Sequence, residues 1–320
     1  MKTHLNTLFV TTQGAYLSKY GEALQVKVGD ETLLQLPLHA LGGIVCFGQV
    51  TMSPWLMAKC AEDGIAISFL GENGRFLARV SGYTPGNVLL RREQYRRADD
   101  DNASVSIARS LIAAKVANAR SVLLRAARDY PGAPGRPALE AAAGRLARCL
   151  RSLPGMTTLD GIRGVEGDSA NAYFGAFDHL ITSDGTGFAF SARSRRPPLD
   201  PMNALLSFLY AMLGHDARAA CESSGLDVQV GFLHRDRPGR PSLALDLMEE
   251  FRPFLADRLA LTLVNRQQVR ASGFKKSETG AVSMDDATRK EVLTSYQRRK
   301  QDTIVHPFLG EETTVGLLLQ

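Results

Sequence analysis

The sequence predicts an α+β protein with two domains, a small β-rich N-terminal domain followed by a larger, mostly α-helical C-terminal domain. Residues 1–82 contain short apolar runs separated by glycine-containing turns, which is typical of strands. Beyond residue 103, apolar side chains recur at helical spacing over long stretches. A chain of 320 residues is long enough for two domains. We expect the domains at residues 1–82 and 104–320, with a linker at 83–103.

In the N-terminal domain we expect one helix among short strands. Ser53 stands at an N-cap position and Pro54 at the first helical position, which predicts a helix over 54–62. The turn at 71–74 joins the last two predicted strands as a hairpin. The predicted strands are residues 7–11, 15–17, 24–28, 32–36, 43–48, 65–70 and 75–80.

The predicted linker has a loop at 83–87, a basic block at 91–97 and an acidic block at 99–102. Opposite charge blocks this close together are typical of a solvated connector, although the arginines are also suited to contact DNA.

The C-terminal domain contains the long helical patterns. Asp200, followed by Pro201, is expected to cap one helix, and Ser242 to cap another. Pro253 lacks an N–H group, so we expect the helix that contains it to kink there. The remaining helices are predicted at residues 104–128, 138–153, from Thr158 or Asp160 onward, and 285–300.

Composition and charge narrow the class of protein. No apolar run is long enough for a membrane helix, and the first residues lack a signal-peptide core, so we expect a cytoplasmic protein. The four cysteines form no CxxC pair and are expected to be buried, reduced thiols. The net charge is only +5, but basic residues occur in clusters, which suits a phosphate backbone; the alternative for any one cluster is a solubilising surface.

A histidine and two carboxylates lie within twenty residues of each other. His234 ends an apolar run, a loop with three arginines follows, and Asp246 and Glu249 lie one turn apart on the next helix. Glu166 interrupts the apolar stripe of another helix, where a charge is costly unless it is paired or binds metal. Each feature has an ordinary alternative: a core histidine, a solvated helix face and a routine ion pair.

Carboxylate oxygens with one imidazole suit Mg²⁺ or Mn²⁺, which would act on a phosphodiester next to the arginines. Other chemistries find less support, since the sequence has no P-loop, no strand-linked GxGxxG and no GxSxG motif. His215 lies on a predicted helix without an evident partner, and we interpret it as structural or at the surface.

Four segments resemble the CRISPR-associated spacer-acquisition integrase, the first of the Cas proteins. They are VEGDSANAYF at 165–174, RRPPLDPMNALLSFLY at 195–210, GFLH at 231–234 and LDLMEEFRP at 245–253. NTLFV at 6–10 and GNVLLRR at 86–92 are also similar to that family. The resemblance spans nearly the whole chain and is closest to the type I-C branch.

The resemblance implies an N-terminal dimerisation domain and a C-terminal catalytic domain. It implies metal-dependent transesterification, in which the 3′-hydroxyls of a short double-stranded DNA fragment attack the leader–repeat phosphodiesters of a CRISPR array. The expected partners are DNA, a second copy of the chain and the second Cas protein. Whether the fourth Cas protein takes part stays open.

The resemblance also assigns site residues. It makes Glu166, His234 and Glu249 the metal ligands and Asp246 the supporting acid of a catalytic group of four. Some family members have aspartate where this chain has Glu249, which leaves the ligand geometry open. The family's motif brings Arg195, Arg196 and Asn203 near the site, and with Arg235, Lys275 and Lys276 from the basic clusters they are the residues expected at DNA.

Two other functions remain open from the residues. A metal-dependent nuclease acting on branched DNA in repair would use the same site without a dedicated partner. A non-catalytic DNA-binding scaffold would use the carboxylates only in ion pairs. Strand joining separates the integrase from the nuclease, and metal-dependent activity separates both from the scaffold.

Overall fold

The structure, a computed structural model, describes residues 6–82, 87–183, 187–305 and 310–319. Its N-terminal region is rich in strands and its C-terminal region is mostly helical, which confirms the predicted α+β class. The N-terminal strands are β1 Thr7–Val10, β2 Tyr16–Tyr20, β3 Ala23–Val28, β4 Glu31–Pro37, β5 Gly43–Phe47, β6 Thr51–Met52, β7 Ala66–Leu70 and β8 Phe76–Val80.

These strands form two four-stranded sheets. The first has the order β1-β5-β7-β8, with β1, β5 and β7 parallel and β8 antiparallel to β7. The second has the order β4-β3-β2-β6. Helix α1, Pro54–Glu62, begins as predicted: the Ser53 hydroxyl accepts the backbone N–H of Leu56 at 3.2 Å.

Strand β5 separates two hydrophobic cores. Its side chains alternate between opposite faces, as in any strand. Ile44 and Cys46 belong to the core between the two N-terminal sheets and α1, whereas Val45 and Phe47 belong to the core of the helical region. The Phe47 ring stacks on Phe208 of the helical region, with the ring centroids 5.7 Å apart.

The helical region is built around α3, the 29-residue helix Asp101–Asp129, which packs against α4, α5 and α7. The other helices are α2 Val88–Asp99, α4 Arg136–Ser152, α5 Leu159–Gly175, α6 Pro201–Ser223, α7 Ser242–Phe251, α8 Arg258–Asn265 and α9 Asp286–Gln301. Thr158 caps α5 and Asp200 caps α6 through side-chain hydrogen bonds to backbone N–H groups.

Pro253 disturbs the helix as its missing N–H predicts. Helix α7 ends at Phe251, a π-helical segment covers Arg252–Asp257, and α8 then continues the chain. The wider π-helical turn accommodates a residue that cannot donate a backbone hydrogen bond.

Three local features differ from the expectation. Ser242 is the first residue of α7 and not its cap; its hydroxyl lies 3.4 Å from the carbonyl oxygen of Arg235. The predicted linker contains helix α2; the expected loop residues 83–86, and with them Gly86 of the GNVLLRR segment, lie outside the described residues. Two small hairpins were not predicted: β9 Phe274–Lys276 with β10 Val282–Met284, and β11 Thr303–Val305 with β12 Glu312–Thr314.

Helix α2 has a structural function within the predicted linker. Gln94 is buried and donates its amide N–H groups to the carbonyls of Asp227 and Val230, each at 2.8 Å, and it accepts the N–H of Asp227 at 2.8 Å. It thereby fixes the segment that leads to His234. The division of the chain into domains at 1–82 and 104–320 stays a prediction.

The four cysteines are buried and free, as expected. Across the described residues, no helix combines the length and the apolar character that crossing a membrane requires.

Candidate functional site

Asp246 organises the loop that carries His234. Its side chain is fully buried and accepts the backbone N–H groups of Phe232, Leu233 and His234 at 2.6, 2.9 and 3.0 Å. Its Oδ1 also lies 2.5 Å from His234 Nδ1. One carboxylate on α7 therefore fixes both the backbone and the imidazole of the loop, and this contact uses Nδ1 of the ring while Nε2 takes no part in it.

Arg163 on α5 holds the same loop from the other side. Its guanidinium donates to the carbonyl oxygen of Leu233 from Nε at 3.0 Å and from Nη2 at 2.5 Å. Asp160, one turn earlier, pairs with Arg163 at 2.7 Å and with Arg235 at 3.0 Å. The residue just before His234 is thus held through both its N–H and its C=O.

Glu249 is a buried carboxylate between two cations. Its side chain is only 3% exposed, with Arg252 Nη1 2.9 Å from Oε1 and Lys115 Nζ 2.6 Å from Oε2. Burial raises the pKa of a carboxyl, but the charges of Arg252 and Lys115, with a smaller effect from His234, outweigh it and lower the pKa of Glu249 to about 2. Glu249 is therefore ionised at neutral pH.

Glu166 meets Glu249 through the same lysine. Its Oε1 contacts Lys115 Nζ, so one ammonium group on α3 bridges a carboxylate on α5 and a carboxylate on α7. Glu166 is more open to solvent than its two neighbours: 32% of its side chain is exposed, against 12% for Lys115 and 3% for Glu249. Burial lowers the pKa of Arg252, but the charge of Glu249, with smaller effects that include Glu166, outweighs it and raises that pKa.

The donor set suits a hard divalent cation, but it does not form a ready-made metal cage. Within the described part of the chain, no group of three or more His, Cys, Asp or Glu side chains is arranged to hold a metal ion. Two carboxylates nevertheless converge on one cation, the Lys115 ammonium. Oxygen ligands with one nearby imidazole have the chemistry that Mg²⁺ or Mn²⁺ requires, and by that test the residues fit.

A buried polar layer lies behind Glu249. The guanidinium groups of Arg252 and Arg193 lie 5.0 and 5.3 Å from the ring centroid of Tyr210. The Tyr210 hydroxyl donates to Asp257 at 2.7 Å. Burial raises the pKa of Asp257 to about 6, although the hydrogen bond from Tyr210 acts in the opposite direction. This layer connects the site to the basic segment at 193–196.

Asn203, expected at DNA, is instead fully buried. Its Oδ1 accepts from Arg193 Nη1 at 2.6 Å and from the Ser194 N–H at 3.0 Å, and its Nδ2 donates to the Ala192 carbonyl at 2.8 Å. Because both ends of the amide are used inside the protein, the structure does not support a surface contact for this residue. Asn203 shapes the loop at 192–194.

The expected DNA-contacting arginines and lysines are exposed, and two of their segments are neighbours. The backbone N–H of Val282, in the hairpin that carries Lys275 and Lys276, donates to the carbonyl of Pro198 at 2.9 Å, two residues beyond Arg196. Arg195, Arg196, Lys275 and Lys276 therefore lie on adjoining segments, whereas Arg235 is on the His234 loop, paired with Asp160.

The sequence interpretation missed Lys115, Arg163 and Arg252. The signal for Lys115 was available, since this lysine falls on the inward face of α3 with Ile112, Val116 and Ala119, where a charge needs a partner. The routine ion pair considered for Glu166 is made with Lys115, whereas Arg163 binds the Leu233 carbonyl and Asp160.

Comparison with known proteins gives matches along almost the whole chain. The model of the family described as "CRISPR associated protein Cas1" matches residues 8–298. A protein of Chlorobaculum tepidum named "CRISPR-associated endonuclease Cas1 1" is 54% identical, over 99% of this chain and 93% of its own length. "CRISPR-associated endonuclease Cas1 2" of Rhodospirillum rubrum is 52% identical, over 99% and 93%.

Solved structures share the fold at low sequence identity. A CAS1 protein from Thermotoga maritima superposes with a TM-score of 0.83 at 20% identity, covering 98% of this chain and 93% of that one. A chain of a "Cas6-RT-Cas1--Cas2 complex" superposes with a TM-score of 0.81 at 23% identity, covering 99% of this chain and 34% of that one.

Proposed function

Because the chain belongs to the Cas1 family of CRISPR-associated endonucleases, we propose that it is the integrase of spacer acquisition. It joins the 3′-hydroxyls of a short double-stranded DNA to the phosphodiesters at the leader–repeat boundary of a CRISPR array. The observation that carries the proposal is the convergence of Glu166 and Glu249 on a single cation, one helical turn from Asp246, which holds His234. We also assign the chain to the type I-C branch, on the strength of its motifs.

We propose that Glu166, Glu249 and His234 hold a divalent cation, Mg²⁺ or Mn²⁺. When bound, such a cation supplies electrostatic stabilisation of the phosphodiester and lowers the pKa of the attacking hydroxyl. Asp246 contributes through His234: its contact with Nδ1 leaves Nε2 as the nitrogen that would bind the metal.

The protein's own residues position the reacting groups. Arg163 and Asp246 fix the loop at 232–234 from both sides, so the imidazole is held before DNA arrives. Arg252 keeps Glu249 ionised, which preserves an anionic ligand in a buried position.

DNA binding is proposed to rest on the exposed basic segments. Arg195 and Arg196 adjoin the hairpin with Lys275 and Lys276, and Arg235 extends the positive surface on the loop next to His234. Such side chains neutralise phosphates without reading sequence, so affinity should fall as salt rises.

The proposed assembly is a homodimer that binds the second Cas protein. The shared fold with a chain of a complex that contains Cas1 and Cas2 supports this partner. A contribution of the fourth Cas protein is a further proposal. A cytoplasmic location agrees with the four free cysteines.

The deciding experiment is strand transfer. A short duplex with free 3′-hydroxyls is incubated with a supercoiled plasmid carrying a CRISPR array, in Mn²⁺ or EDTA, with and without the second Cas protein. We expect joined product in Mn²⁺ and none in EDTA. The Glu166→Ala variant should lose this activity. The control variant Glu22→Gln, which changes an exposed carboxylate of the N-terminal region, should retain it.

Two outcomes would replace the proposal. Nicking of the plasmid without joining, in the presence of the partner, indicates a repair nuclease that acts on DNA branches. DNA binding without cutting or joining, in Mn²⁺ as well as in EDTA, indicates a scaffold.

A further inference from the structure

Lys115 occupies the place between the two carboxylates. Its ammonium group contacts Glu166 Oε1 and lies 2.6 Å from Glu249 Oε2, and its side chain is only 12% exposed. The chain thus provides its own cation at the point where the proposed ligands converge.

The local charges balance in this arrangement. Glu166 and Glu249 carry two negative charges, and Lys115 and Arg252 carry two positive ones, all within direct ion-pair contact. Without a cation between them, two carboxylates so close in a mostly buried position repel each other and lose hydration. Adding a divalent ion while both cations stay would instead leave two uncompensated positive charges.

The two cations are not equally free to leave. The Arg252 guanidinium is fixed between Glu249 and the ring of Tyr210. Lys115 has a flexible four-carbon stem, and its contacts are the two carboxylates themselves, including the more open Glu166. The residue that makes room for another cation is therefore Lys115.

We propose that Lys115 is a built-in counter-ion that holds Glu166 and Glu249 together in the metal-free protein and is displaced when a divalent cation binds. The inference rests on the proposed metal-dependent function. It makes the metal affinity of the chain the result of a competition between the ammonium group and the metal for the same two carboxylates.

The test measures Mn²⁺ binding directly, by calorimetry and by the electron paramagnetic resonance signal of free Mn²⁺, on the full-length protein without DNA. Lys115→Met removes the charge at similar size and should bind Mn²⁺ at least about tenfold more tightly than the wild type, since the two ion pairs of Lys115 no longer have to be broken. Lys115→Arg keeps a competing cation and should show no gain. Glu166→Gln should weaken binding in both backgrounds.

Thermal unfolding gives a readout independent of titration. In EDTA, Lys115→Met should unfold at a lower temperature than the wild type, because the carboxylates lose their bridge. Mn²⁺ should then raise its unfolding temperature by more than it raises that of the wild type. If Lys115→Met does not fold, Lys115→Gln serves in the same two measurements.

The outcomes separate this inference from the proposed function. If the wild type binds Mn²⁺ in a Glu166-dependent manner and the neutral variants bind no more tightly, Lys115 does not compete and the inference is wrong, while the integrase proposal stands. If neither the wild type nor the neutral variants bind Mn²⁺, the Lys115 inference and the integrase proposal are both wrong. In crystals soaked with Mn²⁺, an anomalous peak between Glu166 and Glu249 with Lys115 turned away would support the displacement.

Discussion

Asp246 contacts His234 twice, at the backbone N–H at 3.0 Å and at Nδ1 of the ring at 2.5 Å. The same carboxylate also accepts the N–H groups of the two preceding residues. It therefore supports the fold of the loop as well as the orientation of the imidazole, and the two functions can be separated by mutation.

His234→Ala should abolish strand transfer and leave the free energy of unfolding within about 1 kcal/mol of the wild type, since the backbone bonds to Asp246 remain. Asp246→Ala should abolish activity and also cost about 2–4 kcal/mol, because it leaves three backbone N–H groups, including that of the buried Leu233, without their acceptor. Urea unfolding and DNA binding of both variants check this. Equal stability losses would mean that the loop depends on the imidazole itself.

Glu249 and Glu166 should differ in how much the free energy of unfolding depends on them. Glu249→Gln removes a charge that is 3% exposed and leaves Arg252 without its acidic partner, which should cost about 3–5 kcal/mol. Glu166→Gln leaves Lys115 paired with Glu249 and should cost about 1 kcal/mol or less, given its greater exposure. Both variants should lose strand transfer. Matching unfolding midpoints for the two would argue against the difference in burial as the cause.

His215 should make stability depend on pH. It is buried with Nδ1 2.8 Å from the Ser68 hydroxyl, and burial lowers its pKa to about 4 from 6.5. Between these values the unfolded chain binds the proton and the folded chain does not, so stability falls as pH falls from about 6.5 to about 4.

The stabilisation that disappears in that window is roughly 3 kcal/mol at most. His215→Asn keeps a polar group near Ser68 but cannot titrate. Chemical unfolding at pH 7, 5.5 and 4.5 should show that the free energy of unfolding of the wild type falls relative to that of the variant as the pH is lowered. Asp257, whose raised pKa acts in the opposite direction, is present in both proteins and cancels. Parallel curves would refute the assignment.

Replacing the two hairpin lysines should reduce the salt dependence of DNA binding. In Lys275→Ala/Lys276→Ala, the slope of log affinity against log salt should become shallower by about 0.9 for each phosphate that the protein no longer neutralises. Lys19→Ala, an exposed lysine of the N-terminal region, is the control and should leave the slope unchanged. Fluorescence anisotropy on two duplexes of different sequence checks that the weakening is independent of sequence. An unchanged slope would remove the hairpin from the DNA surface.

Local signals in the sequence were sufficient where neighbouring residues decide the structure. The caps at Ser53 and Asp200 and the disturbance at Pro253 depend on hydrogen bonds within one helical turn. The third helix was expected to begin at Thr158 or Asp160, and in the structure Thr158 caps it. Ser242 has the right residue type, but Pro241 takes the cap position and the hydroxyl turns to the Arg235 carbonyl, a contact seven residues away.

Tertiary contacts limited the prediction elsewhere. Helix α2 has no apolar stripe, and its buried residue is polar: Gln94 is fixed by backbone groups 133 and 136 positions away along the chain. The Lys115 bridge joins three helices, α3, α5 and α7, so spacing along any one of them does not reveal it. Asn203 stood in a motif near the site, yet only its burial shows that it serves the loop at 192–194.

Strand β5 has a consequence for dissecting the protein. Its odd-numbered side chains, Val45 and Phe47, line the helical core, and its even-numbered ones, Ile44 and Cys46, line the other core. A fragment starting at residue 83 would therefore present an open apolar surface where Phe208 meets Phe47, and its partner fragment would expose Val45 and Phe47 on the face of β5 that the helical core covers. We expect the separated halves to aggregate alone and to recover solubility when co-expressed, as complementing pieces of one protein.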